Sequence, residues 1–260
     1  MKLLARNFKT VFAEEVAEAM KIKPVPTIVT EQDIKHLPDP VQKYLKFAGA
    51  IGKEKIHSAR LEFTGDFKTA PNRKYMKFTS VQYNFFGNPM RFFYMKMPMM
   101  GLPLDGLHVY KNEQASMKIR IASLFTIVEA KGEKMDQGET VTVFNDLCLM
   151  APSALIDANV QWQTIDPLTV KAMFTNGKNT ISATLHFSES GELTNFISID
   201  RFMSSDGKSY LSYPWSTPAK NYKDFNGRKV PTYGETIWHM PEGDFVYGKF
   251  NLQRVEYNCK

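Results

Sequence analysis

The feature that most constrains this chain is a switch in its apolar periodicity near Lys55. Beyond that point apolar residues recur at every second position, as in the segments 57–69, 114–122 and 179–187. Successive side chains of a β-strand point to opposite faces, so clean alternation indicates strands with one buried face and one polar face. Most of the chain after residue 54 is therefore predicted to be half-buried β-strand.

Tight turns separate these strands in the second half of the chain. The turn dipeptides are Asn176-Gly177, Ser190-Gly191, Asp206-Gly207, Asn226-Gly227 and Glu242-Gly243. Asn-Gly and Asp-Gly favour hairpins, because both central residues of a type I′ turn need positive φ. Long strands joined in this way form an antiparallel meander, and a large sheet twists and curls. We predict an α+β fold with a single strongly curved antiparallel β-sheet, an unclosed half-barrel, and a few helices packed on or across its concave face.

The first 54 residues are predicted to be a helical segment of the same domain. Apolar residues fall every four positions near the N-terminus, as expected for an amphipathic helix. They are Leu4, Phe8, Phe12, Val16 and Met20. Pro40 suits the first turn of a second helix, which Gly49 or Gly52 would end. We predict one domain over 1–260, with the helical segment at 1–54 and the curved sheet, interrupted by one helix, at 55–260.

That interrupting helix is predicted at 139–150. Asp136 and Glu139 have the spacing of a capping box, and Pro152 disfavours helix at the residue before it. An apolar arc of the helix contains Val141, Phe144, Leu147, Cys148 and Ala151, and the opposite arc contains Thr142, Asn145 and Asp146. We expect the apolar arc to cover the concave face, and Asn145 or Asp146 to lie at its rim. Cys148 is expected to act as a small buried apolar residue.

Composition and charge exclude several classes of function. The net charge of +6 is spread along the chain, which does not favour nucleic-acid binding. The five histidines lack metal-ligand spacing, and no glycine-rich phosphate loop or nucleophile elbow occurs, so we expect no metal, no cofactor and no catalytic residue.

Two distant cysteines and the lack of a signal sequence predict a cytoplasmic protein. Peripheral contact with the inner membrane through the N-terminal helix stays open. The sequence does not determine the oligomeric state.

Methionine is concentrated between residues 88 and 104. Met90, Met95, Met97, Met99 and Met100 lie there together with Phe92, Phe93 and Tyr94. Methionine side chains are flexible and polarizable, so they suit surfaces that accept variable apolar shapes. The stretch is compatible with an ordinary core strand, and equally with a pocket lining or a membrane-touching edge.

Several motifs resemble those of an uncharacterised bacterial family that is known only as a domain of unknown function. They are "LPDPVQKYLKFAG" (37–49), "MDQGE" (135–139), "FNDLCLMAPSALI" (144–156), "YPW" (213–215) and "FNGRKVPTYGETIW" (225–238). That resemblance implies no activity. The order of helices and strands also resembles the outer-membrane lipoprotein carriers. This second resemblance implies an unclosed antiparallel barrel that has helices across its mouth and binds acyl chains.

We therefore predict non-enzymatic binding of an apolar or amphipathic ligand, such as a lipid or acyl chain, in the concavity of the sheet. The candidate ligand-binding residues are Phe93, Met95, Met97, Phe144, Asn145, Asp146, Leu147 and Trp238. An interior simply filled by side chains is equally compatible with the pattern. Two alternatives remain. One is a hydrolase or isomerase that uses Asp146 or His108 in the cavity, and the other is a protein-interaction module that uses an aromatic C-terminal surface around Trp238.

Overall fold

The computed structural model describes residues 6–99, 101–204 and 206–259. Its helices are α1 (Phe8–Ala19), α2 (Asp39–Phe47) and α3 (Glu133–Met150), followed by a short 3-10 helix (Pro152–Ile156). Leu4 and Met100, which the sequence assigned to the N-terminal helix and the methionine-rich stretch, lie outside the described residues. In the described ranges, no helix is long and apolar enough to cross a membrane.

The strands before α3 are β1 (Ser58–Phe67), β2 (Met76–Phe85), β3 (Met90–Met99), β4 (Leu102–Lys111), β5 (Gln114–Ile121) and β6 (Phe125–Lys131). Those between the 3-10 helix and residue 212 are β7 (Val160–Asp166), β8 (Thr169–Asn176), β9 (Asn179–Phe187), β10 (Leu193–Ser198), β11 (Phe202–Met203) and β12 (Leu211–Ser212). The last four are β13 (Trp215–Ser216), β14 (Ala219–Phe225), β15 (Arg228–Met240) and β16 (Gly243–Tyr257).

Fourteen of the described strands form one antiparallel sheet, as the alternation and the turns predicted. Its order is β6-β5-β4-β3-β2-β1-β16-β15-β13-β10-β9-β8-β7, and β14 pairs with β15. The last strand, β16, lies between β1 and β15 and so joins the two halves of the sheet. Strands β11 and β12 form a separate two-stranded ribbon. The predicted turn glycines, among them Gly177 and Gly227, have positive φ.

The strong curvature predicted from the sequence is not confirmed, because the sheet is not strongly curled. Helix α3 lies against one face and contacts β5 and β6 in one half and β9 and β10 in the other. A layer of helix is one of the standard ways to cover the apolar face of a sheet. Since α3 covers that face, the sheet does not have to curl over itself. We call this face the inner face.

The opposite, outer face is covered by α1 across β3 and β4. The side of α1 that is buried consists of Phe8, Phe12, Val16 and Ala19, and it packs on Phe92, Tyr94 and Leu107. The predicted amphipathic helix is thus present, and its apolar stripe is already occupied by the protein. Contact with a membrane through this stripe would require α1 to detach, and that contact stays a prediction.

Helix α2 also agrees with its sequence pattern. Pro40 lies in its first turn, and Val41, Tyr44 and Leu45 are fully buried. The Tyr44 hydroxyl donates to the Cys148 carbonyl at 2.8 Å, which fixes α2 against the end of α3.

Helix α3 differs from its prediction in two ways. It begins at Glu133, six residues earlier than predicted, so Asp136 and Glu139 lie inside the helix and do not cap it. Asp136 instead accepts a hydrogen bond from the Ala115 amide at 2.7 Å. Thirteen of its 18 residues are buried, including Thr142 and Asn145 on the polar arc. The polar arc is covered because the segment around Arg201 and β11 contacts the helix in addition to both halves of the sheet.

Candidate functional site

Residues that lie opposite one another on adjacent strands form rows across the inner face. Some of these rows lie under α3 and others lie beside it. The row nearest the start of β3 places Asn84, Arg91 and Tyr110 next to one another, and the following row contains Gln82, Phe93 and His108. Charged and polar side chains of these two rows contact α3. The next two rows consist of Phe63, Ser80, Met95, Gly106 and Ile119, and of Met97, Leu104, Ile121 and Phe125. They are mostly apolar.

The contacts between α3 and the first two rows form a buried polar cluster. We use this name for Gln82, Asn84, Arg91, His108, Glu139, Asp146 and Arg201. Three donors meet at one oxygen, Oδ2 of Asp146. They are Gln82 Nε2 at 2.7 Å, Arg91 Nε at 2.8 Å and Asn84 Nδ2 at 3.0 Å. Burial raises the pKa of the Asp146 carboxyl, and Arg91 and Asn84 oppose this effect without cancelling it. Asp146 therefore anchors α3 to β2 and β3.

Glu139 is the second carboxylate of the polar cluster and is only 2% exposed. Arg91 Nη1 donates to it at 3.2 Å, and His108 Nδ1 lies 3.5 Å from its other oxygen. Burial alone would raise the pKa of Glu139, but His108, Arg91 and Arg201 together outweigh burial and lower that pKa to about 2. Glu139 is thus ionised at neutral pH, and Arg91 is shared between the two carboxylates.

Arg201 reaches the polar cluster from the segment that follows β10. Its Nε donates to Thr142 Oγ1 at 3.1 Å and its Nη1 to the Tyr247 hydroxyl at 3.2 Å. The guanidinium carbon lies 4.6 Å from the ring centroid of Trp215 and 5.4 Å from that of Trp238. Aromatic faces attract a cation at these distances, so the two tryptophans hold Arg201 in place.

The residues predicted to bind a ligand are brought together, but as part of one tightly packed core. Phe93, Met95, Met97, Phe144, Leu147 and Trp238 belong to the same buried cluster and are at most 7% exposed. Phe144 stacks on Phe174 with 4.7 Å between ring centroids. Asn145 is also buried and donates to Thr217, whereas the Asp146 side chain keeps 17% of its surface exposed. Their role in binding is not tested by this arrangement and stays a prediction.

Two of the pockets on the described part of the chain lie where β15 and β16 separate. The larger, about 450 Å³, is open and lined by polar residues that include Asn221, Thr232 and Asn251. The smaller, about 10 Å³, lies between the 3-10 helix and Arg228. None of the eight predicted ligand-binding residues lines either pocket.

An apolar strip leaves the core on the inner face, beside α3 and not beneath it. We use this name for the row Met97, Leu104, Ile121 and Phe125, together with Leu102. Met97 and Leu104 are 7% and 4% exposed, Ile121 is half-buried, and Phe125 at the end of the row is 67% exposed. Leu102, two residues before Leu104 on the same face, is 47% exposed. The core is therefore continuous with exposed apolar surface at the corner formed by β4, β5 and β6.

Ser80 is an unpartnered polar group close to this strip. It lies between Phe63 and Met95 in the neighbouring row and is 4% exposed. Its hydroxyl has no hydrogen-bond partner among the described residues. Buried hydroxyls are normally hydrogen-bonded, and leaving one unpaired costs about 1–3 kcal/mol. A polar atom brought in from outside the chain would remove that cost.

The residues that the sequence analysis missed are Gln82, Asn84, Arg91 and Arg201. Gln82 and Asn84 alternate in β2 with Val81, Tyr83 and Phe85. This pattern predicts that Gln82 and Asn84 face solvent. The structure covers both faces of this strand, one with α1 and the other with α3. The one signal in the sequence was the polar arc of α3, because polar side chains on a buried helix require hydrogen-bond partners on the elements packed against it.

Comparisons with known proteins give a family and a general likeness. Residues 27–250 match a family described as "Family of unknown function (DUF6544)". A search of curated protein sequences found no match. Among solved structures, the chain is similar to a DUF1329 family protein from Desulfovibrio piger ATCC 29098, with a TM-score of 0.42 and 8% identity over 89% of this chain and 94% of that one. It is also similar to a LolA superfamily protein from Nitrosomonas europaea, with a TM-score of 0.41 and 9% identity over 85% of this chain and 94% of that one.

The resemblance to a family of unknown function that was predicted from the sequence is thereby confirmed. At these TM-scores the structural likeness carries no argument about function.

Proposed function

The chain belongs to a family of unknown function, DUF6544, and from the geometry of its inner face we propose that it binds an apolar or amphipathic molecule there. The observation that carries this proposal is the apolar strip, in which the core runs without a break through half-buried Ile121 into exposed Leu102 and Phe125. Contiguous exposed apolar surface on a soluble domain usually marks a binding site. A ligand that lies along the strip would remove this surface from water.

Two further features support a ligand in this place. Met97 belongs to the strip and Met95 lies in the adjacent row, and methionine side chains can change rotamer to fit different apolar shapes. Ser80 offers an unused hydroxyl in the adjacent row. Apolar sites that bind small molecules typically contain a few polar groups that orient the ligand. An acyl chain with one polar end has this combination of properties.

Binding of a fluorescent long-chain fatty acid to the purified protein tests the proposal. We expect saturable binding at micromolar concentrations, and a loss of about tenfold or more in Ile121→Glu, because that change puts a charge into the apolar contact. The matched control is Ile165→Glu, since Ile165 is 55% exposed on β7 in the other half of the sheet. No binding to the wild type, or equal loss in both variants, would refute a site on the apolar strip.

The two alternatives receive less support from the geometry. Asp146 is held by three donors from β2 and β3, and His108 lies beside Glu139, so each side chain already faces a partner within the polar cluster. Trp238 is 4% exposed and Trp215 is 2% exposed, so they offer little surface to a protein partner. A turnover abolished by His108→Ala with unchanged melting temperature would favour an enzyme instead.

A further inference from the structure

We infer that the molecule bound on the inner face carries an acidic head group, a carboxylate, which Arg201 and the Tyr247 hydroxyl bind together. This inference rests on the proposed function. Arg201 and Tyr247 each have one donor for which the described part of the chain offers no acceptor.

The first donor is the Nη2 group of Arg201. Nε and Nη1 of the same guanidinium donate to the neutral hydroxyls of Thr142 and Tyr247. Nη2 comes no closer than 4.0 Å to Glu139 Oε1 and makes no hydrogen bond to a described residue. The side chain keeps 17% of its surface exposed, so a ligand can reach it.

The second donor is the hydroxyl proton of Tyr247. The Tyr247 oxygen already accepts two hydrogen bonds, one from Arg201 Nη1 at 3.2 Å and one from Trp215 Nε1 at 3.0 Å. A phenol oxygen has one proton to donate, and no described residue accepts it. Tyr247 is half-buried, so this proton is available next to Arg201 Nη2.

The ion pairs of the polar cluster leave Arg201 with a donor that an incoming anion can use. The polar cluster contains two arginines and two carboxylates, but Arg91 makes hydrogen bonds to both carboxylates. Arg201 is therefore the cation without a carboxylate at hydrogen-bond distance. Glu139 faces it at 4.0 Å, and that charge is already shared with Arg91 and His108. Carboxylates form their strongest hydrogen bonds with ionised donors such as guanidinium.

The position of this pair also fits an amphipathic ligand. The ring centroids of Tyr247 and Phe67 are 5.7 Å apart. Met76 lies opposite Phe67 on the adjacent strand β2, and all three residues are half-buried. Phe67 lies on the inner face of β1, the face that carries the apolar strip. A head group at Arg201 would thus have apolar surface beside it for the chain to follow.

The test compares a fluorescent fatty acid with its methyl ester, which has the same chain without the charge. In Arg201→Gln and in Tyr247→Phe we expect the affinity for the acid to fall by about tenfold or more, as for a lost hydrogen bond to a charged group. Affinity for the ester should stay within about twofold. Because both probes are measured on the same variant, a partly unfolded fraction lowers both and leaves their ratio unchanged. Arg254→Gln, which changes an exposed ion pair, is the control.

The outcomes separate this inference from the proposed function. If the wild type binds neither probe, both are overturned. If the wild type binds acid and ester equally and the variants do not change their ratio, the proposed function stands and a head-group site at Arg201 is refuted. If Arg201→Lys retains most of the preference for the acid while Arg201→Gln loses it, charge recognition at this position is supported.

Discussion

Arg91 is the residue on which the polar cluster depends, because its guanidinium donates to both carboxylates of the cluster and to the side-chain oxygen Oε1 of Gln82. Removing one partner of a buried ion pair leaves an uncompensated charge and costs about 3–5 kcal/mol. We therefore expect Arg91→Gln to lower the free energy of unfolding in urea by that amount. Arg254→Gln, whose ion pair with Glu256 is 61% exposed on the arginine side, should cost less than about 1 kcal/mol. Equal losses would contradict this role of Arg91.

The two carboxylates of the polar cluster, Glu139 and Asp146, should affect acid stability in opposite directions. The pKa of Glu139 is lowered from its ordinary value of 4.5 to about 2, so its contribution is present above pH 4.5 and is lost as the pH falls toward 2. The pKa of Asp146 is raised by burial, so its ionisation costs stability above that pKa and acidification relieves the cost.

This difference in sign can be measured by urea unfolding between pH 2 and pH 7. The stability advantage of the wild type over Glu139→Gln should shrink as the pH falls from about 4.5 to 2. The free energy of unfolding of the wild type should increase relative to that of Asp146→Asn as the pH falls. Parallel curves for both variants would show that the carboxylates are not coupled to folding in this way.

At the scale of elements, α1 is a separate layer that covers the outer face and lies outside the residues matched by the family. Phe12 is its central contact, with ring centroids 6.0 Å from Tyr83 and 5.9 Å from Tyr94. Phe12→Ala should destabilise the helix–sheet contact by about 3 kcal/mol. Hydrogen exchange of the α1 amides reports this loss directly. Phe125→Ala, at a phenylalanine that is 67% exposed, is the matched control and should leave α1 protection unchanged.

At the scale of the whole molecule, β16 and α3 connect the two halves of the sheet. Strand β16 pairs with β1 and β15, and α3 contacts β5 and β9. A shared core of this kind makes unfolding of one half without the other costly, so we expect one cooperative transition. The slowest-exchanging amides of β3 and of β9 should then report the same free energy of global unfolding in hydrogen exchange. Two transitions, or a lower value for one half, would contradict the single domain predicted from the sequence.

The sequence by itself indicated an antiparallel sheet, located β1, β5 and β9 within it, and indicated the helices α1 and α2. Alternation from residue 57, turn glycines such as Gly177, and Pro40 act within a few residues, so they can be recognised without tertiary information. The sequence also indicated that the buried Phe93, Met95 and Phe144 belong together, because apolar faces of neighbouring elements must share a core.

Tertiary structure alone decided the environment of the polar residues. Gln82, Asn84 and Asp146 have the periodicity of solvent-facing residues, yet they meet beneath α3 because helices cover both faces of β2. Burial of a polar side chain is favourable only when its partners come from other elements, and those partners are 55 to 64 residues away from Asp146 along the chain. Local periodicity carries no record of such distant partners, so the polar cluster and the free donors at Arg201 and Tyr247 required the folded chain.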